Sequence, residues 1–143
     1  MMDIELTHID IMWQPEPIRF TLLGLLCTPT TKRLLLQDCC LPTWSSYVLV
    51  PGLTTLELVN PCIETDYIFS LPPSQARPRH VIVEGNDIGD VVDWLVASGE
   101  LLQEVSSICI RHFTSDYDSG DRLVHATTLK NPKVIEVGLL CSD

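Results

Sequence analysis

Residues able to do chemistry are scattered through this 143-residue chain, and their spacing decides what they can do. Asp116, Asp118 and Asp121 around Gly120 come near the pattern of a calcium loop, which needs alternating acids, a Gly for the sharp turn and a bidentate Glu at its twelfth place. Here the Gly falls one place early, and Thr127 stands where that Glu belongs. A solvated turn entering a helix explains the acids better, since Asp near a helix N-terminus is favoured by the dipole. Cys39 and Cys40 with His8, His80, His112 and His125 raise the question of zinc, but there is no C-x-x-C pair and the histidines lack ligand spacing. His8 and His80 are expected at the same place in a strand repeat with two strands between them, too far apart to hold one ion.

Nucleophilic and phosphate-binding signatures are missing from the sequence as well. It has no G-x-S-x-G elbow and no G-x-x-x-x-G-K-[ST] loop, and Gly85 and Gly89 flank a helix start without the rest of a phosphate cradle. Trp13, Trp44 and Trp94 read as packing residues and not as platforms for stacked bases, given the acidic charge. The expectation is a non-enzyme with no catalytic residue, no metal and no cofactor. Two alternatives stand beside it: a small hydrolase or metal-dependent enzyme with a dispersed site, and a truncated remnant without present function.

Composition narrows the partners. Nineteen acids against nine Lys and Arg give a formal charge of −10, and such a surface repels phosphate backbones and anionic lipid, which are held mainly by cations. Neither nucleic acid nor a membrane is expected as a partner. The opening MMDIELTHID carries three acids and no apolar core of a secretory signal. The longest mainly apolar stretch, 20–27, is too short to span a bilayer, which needs roughly 20 residues. Cytoplasm or nucleus is therefore the expected location. Under reducing conditions the six cysteines stay free, and they read as small buried apolar residues.

What must position these residues is a repeat. The segments LTHIDI (6–11), TKRLLL (31–36), LTTLEL (53–58), PRHVIV (78–83), VSSICI (105–110) and PKVIEV (132–137) share the form apolar-or-breaker, x, x, apolar, x, apolar. Their fourth residues, Ile9, Leu34, Leu56, Val81, Ile108 and Ile135, are spaced by 25, 22, 25, 27 and 27 residues, within the roughly 20–29 of leucine-rich repeats. The sixth residues, Ile11, Leu36, Leu58, Val83, Ile110 and Val137, are aliphatic too. Alternate side chains of a strand share one face, so the fourth and sixth positions point inward together. Parallel stacking of such strands buries what a single one cannot, with each crossover returning along the outside. The expected fold is α/β: a leucine-rich-repeat-like solenoid of about six repeats over 1–143, parallel strands on the concave face and helices or irregular crossovers outside.

The crossovers carry helical spacing. Ile88, Val91, Val92, Leu95 and Val96 line one face of a helix between Asp87 and Ser98, which Asn86 or Asp87 can cap and Gly99 can end. Ile18, Leu22, Leu25 and Leu26 do the same between Pro17 and Cys27. Weaker spacing suggests helices over 63–71, stopped by Pro72-Pro73, and over 120–130. The segment 41–50 has no clear period and is expected to be irregular or a single turn.

Phrases such as LTHIDIMW, RLLLQDCCLPTW followed by LTTLELVNP, and VVDWL leading to VSSICIRHF resemble the leucine-rich-repeat region of fungal F-box-type proteins, over essentially the whole chain. The resemblance implies that Cys39 after Leu36, and Asn86 after Val83, hydrogen-bond the backbone of the following turn. Gln14, Pro61, Phe113 and Leu140 occupy that place in the other repeats, so uneven turns are expected. It further implies the substrate-recognition part of an F-box-type ubiquitin-ligase subunit. No F-box is visible, and a ligase adaptor is an expected partner only if one lies upstream.

The third, fifth and seventh repeat positions then form the concave face and the expected protein-binding site. They are His8, Asp10 and Met12; Arg33, Leu35 and Gln37; Thr55, Glu57 and Val59; His80, Ile82 and Glu84; Ser107, Cys109 and Arg111; and Val134, Glu136 and Gly138. Acids, two Arg, two His and exposed aliphatics together suit a protein partner, with polar groups giving specificity around apolar contact area.

Overall fold

The computed structural model describes residues 2–8, 14–26, 28–42, 50–64, 75–85, 89–97, 101–112, 123, 125 and 136–141. Eight strands and two helices lie among them: β1 (Met2–Thr7), α1 (Glu16–Leu26), β2 (Thr31–Gln37), β3 (Cys40–Pro42), β4 (Thr55–Val59), β5 (Cys62–Glu64), β6 (His80–Gly85), α2 (Gly89–Ala97), β7 (Ser107–His112) and β8 (Glu136–Cys141). Six of the strands form one parallel sheet in the order β1-β2-β4-β6-β7-β8, so each takes its place beside the one before it. β3 and β5 make a second, two-stranded parallel ladder, and Cys62 N–H donates to Cys39 O at 3.0 Å beside it. The fold is α/β with a parallel main sheet.

The register aligns the aliphatic pairs. Leu34, Leu56, Val81 and Ile108 lie side by side, as do Leu36, Leu58, Val83 and Ile110, and all eight are at most 2% exposed. The repeat's first position is also buried: Thr31, Leu53, Pro78 and Val105 all point in. Three of these close a tight turn, with N–H bonds from Thr31 to Thr28, Leu53 to Val50 and Val105 to Leu102. Burial explains the apolar residues there, while Pro78, which has no N–H to donate, fills the same place without that turn bond. Leu22 of α1 and Val91, Val92, Trp94 and Leu95 of α2 join the same buried cluster.

Two strands depart from the expected frame. β1 is Met2–Thr7 and not 6–11: Ile4 and Leu6, rather than Ile9 and Ile11, lie beside Leu34 and Leu36. The residue two places past the second inward side chain decides this. His8, Asp38 and Asn60 stand there with φ of 55°, 52° and 46°, a left-handed conformation in which His, Asp and Asn are enriched. Their N–H groups donate to Gln37, Val59 and Glu84 of the next strand at 2.9, 2.8 and 2.6 Å. The 6–11 frame would put Trp13 at that turn, where a bulky side chain is disfavoured. At the other end, Val137 and Leu139 lie beside Ile108 and Ile110, two residues later than the frame with Ile135 and Val137. The first and last steps between equivalent residues thus become 30 and 29 residues, from Ile4 to Leu34 and from Ile108 to Val137.

Both well-spaced helices form, but not with the full faces expected. Ile18 and Leu25 of α1 are 48% and 39% exposed, and Val96 of α2 is 38% exposed. The suggested helix at 63–71 begins instead as strand, since Cys62–Glu64 is β5 and Ile63 is buried. Its remainder, most of 41–50 and most of 120–130 lie outside the described residues.

Candidate functional site

On the face of the main sheet opposite the buried cluster, parallel register builds three rows. The first runs Asp3, Arg33, Thr55, His80, Ser107 and Glu136; the second Glu5, Leu35, Glu57, Ile82, Cys109 and Gly138; the third Thr7, Gln37, Val59, Glu84, Arg111 and Leu140. Neighbours in a row are one strand spacing apart, about 4.8 Å. Arg33, Leu35, Gln37, Thr55, Glu57, Val59, His80, Ile82, Glu84, Ser107, Cys109 and Arg111 thus stand together where the period-two reading put them. Burial alternates accordingly in β2, β4 and β6.

The five-residue shift of β1 changes the outermost column. His8 is not a member of the face. It follows β1 in the left-handed turn, 76% exposed, with Nδ1 3.6 Å from Asp38 Oδ2. Nor does it share a repeat position with His80, which lies in the row of Asp3, Arg33 and Thr55. Asp3, Glu5 and Thr7, all exposed, take the places assigned to His8, Asp10 and Met12; the last two lie outside the described residues. A residue that tolerates a left-handed backbone two places after the inward pair, repeated at Asp38, Asn60 and Gly85, is the sequence signal that locates them. In β8, Glu136 and Gly138 lie beside Ser107 and Cys109, one row earlier than expected, and Leu140 lies beside Arg111. Val134 falls outside the described residues.

Charge on the face is mixed and locally organised. Arg33 Nη2 lies 3.0 Å from Glu57 Oε2, with the arginine side chain half exposed and the glutamate only 12% exposed. Among the described residues no cation lies within 4.0 Å of Asp3, Glu5 or Glu84, and no partner reaches the buried Nε of Arg111. Leu35, Val59 and Ile82 are half-buried. The face therefore offers acidic acceptors, guanidinium donors and some aliphatic surface.

The cysteines correct the expectation of uniform burial. Cys39 is 1% exposed, while Cys40 and Cys109 are half-buried and Cys62 is exposed. Cys39 Sγ lies 3.3 Å from Leu6 O of the neighbouring strand and from Gln37 O of its own. Asn86, its expected counterpart, is outside the described residues, as are Asp116, Asp118, Gly120, Asp121 and Thr127. Among the described residues no three His, Cys, Asp or Glu side chains come together in a way that could hold a metal, and no helix is long and apolar enough to cross a membrane. No family model, curated protein or solved structure matches the chain, so the chemistry of this face has to be read from its own residues.

Proposed function

We propose that this chain is a leucine-rich-repeat-like solenoid that binds a protein partner on its concave face. The observation that carries the reading is the three-row face: six parallel strands in continuous register, over roughly 24 Å if each spacing is about 4.8 Å, with burial alternating in β2, β4 and β6 so that every second residue is left exposed or half-buried. Extended surfaces of this kind are what stacked repeats offer to partners. The mixture of two guanidiniums, several carboxylates and half-buried aliphatics is that of an interaction patch. The net charge of −10 argues against nucleic acid and anionic membranes as the partner.

The resemblance to fungal F-box-type proteins makes the recognition end of a ubiquitin-ligase subunit, acting in cytoplasm or nucleus, the biological setting we favour. Non-catalytic binding is the activity it requires. Arg33→Ala, His80→Ala and Arg111→Ala combined should weaken partner recovery at least about tenfold, equal to about 1.4 kcal/mol, while circular dichroism stays native. Recovery of the same partners at the same yield would overturn the proposal.

A further inference from the structure

We propose that Cys40 and Cys62 form a modification site, a cross-strand dithiol that closes into a disulfide on reaction with a small-molecule disulfide such as oxidised glutathione. The two residues are register partners in the β3–β5 ladder. Parallel neighbours in register lie about 4.8 Å apart, inside the 4.4–6.8 Å Cα window in which a disulfide can close. Their side chains share one side of the ladder, because strand neighbours alternate and register partners do not. Ile63, next to Cys62, points into the core at 6% exposure, which turns Cys62 outward, where it is exposed.

Exposure divides the labour. Cys62 is the more accessible thiol, and Cys40 is half-buried beside it. The Cys62 thiolate attacks one sulfur of the small disulfide, giving a mixed disulfide and releasing one thiolate. The Cys40 thiolate then attacks the Cys62 sulfur and expels the second. The protein thiols give up two electrons and two protons, and the small disulfide takes them up as two thiols.

Among the cysteines whose side chains are described, the other two are badly placed. Cys39 is buried with its sulfur between two carbonyl oxygens, and Cys109 lies in the main sheet beside Ile82 and Gly138. Thiol–disulfide exchange runs in both directions, so excess reduced thiol reopens the bridge. Oxidation is therefore reversible, and it ties the segment after β2 to the segment after β4.

The reduced full chain, held in mixtures of oxidised and reduced glutathione, is quenched with acid, alkylated and weighed intact. Proteolysis after Glu57 then separates Cys40 from Cys62. The native chain is expected to lose two hydrogens without retaining glutathione, its two fragments staying joined until a reductant is added. Cys40→Ser should stop at a glutathione adduct on Cys62, and Cys62→Ser should form no bridge. Serine at two positions outside the buried cluster leaves the fold intact, which circular dichroism checks. A persistent adduct on Cys62 in the native chain, or a bridge that survives Cys40→Ser, would overturn the proposal.

Discussion

Thr31 occupies a place that the repeat otherwise gives to Leu53, Pro78 and Val105, and it is as buried as they are, at 1% exposure. Its N–H bonds Thr28 O at 3.1 Å, yet its hydroxyl has no partner among the described residues. A buried hydroxyl left unpaired costs about 1–3 kcal/mol. Thr31→Val, which keeps the branched shape, should therefore raise stability by about 1 kcal/mol, seen as a higher urea midpoint at unchanged slope. A lower midpoint would sink that assignment. The Arg33–Glu57 pair tests the opposite surface. Because Arg33 is half exposed, a double-mutant cycle should give a coupling of no more than about 1 kcal/mol, fading in about 1 M salt. That these side chains face the same way is legible from alternation. Their pairing is not, because Arg33 lies in register with Thr55 and reaches diagonally to Glu57. Spacing does make Cys40 and Cys62 equivalent, six places after Leu34 and Leu56 and 22 residues apart like them, but it does not show that a second ladder of three-residue strands continues that far.

The strands were legible wherever two aliphatics alternate between well-marked turns, as in β2, β4, β6 and β7. β1 was misplaced because MDIELT and LTHIDI both alternate, and only the turn that follows separates them. Helix spacing found α1 and α2 but overstated their buried faces. It sees amphipathicity and not how much neighbouring surface reaches Ile18, Leu25 or Val96. The left-handed turns can be tested as a set. A non-Gly residue at positive φ costs roughly 1–2 kcal/mol, reduced for Asn and Asp. Asn60, at φ 46° with its N–H held by Glu84 O, should accept Gly with a gain of up to about 1 kcal/mol, whereas Asn60→Val should lose about 1–2 kcal/mol in thermal denaturation. Equal effects of Gly and Val would mean that the turn is set by something other than backbone conformation.

Across the whole molecule, burial is graded. The inward pair of β1, Ile4 and Leu6, is 8% exposed, while Leu56, Leu58, Val81 and Val83 in the middle of the sheet are at 0%. Strands that follow in order lean mainly on their two neighbours, and β1 has one neighbour among the described strands. Leu58→Ala should therefore fall toward the upper end, and Ile4→Ala toward the lower end, of the roughly 2–5 kcal/mol typical of such truncations. Amide exchange should be faster in β1 than in β4. Charge acts on the same scale with an opposed pair of effects. Salt weakens the exposed Arg33–Glu57 contact, and the His8–Asp38 contact when His8 is protonated, but surface pairs are worth about 0–1 kcal/mol each. It also screens the mutual repulsion carried by a net charge of −10, which disfavours the compact state as a whole. The second effect involves many more charges, so moderate NaCl should raise the melting temperature relative to low ionic strength. A fall would mean that the few ion pairs outweigh the general repulsion, and that the acids are held by cations beyond the described residues.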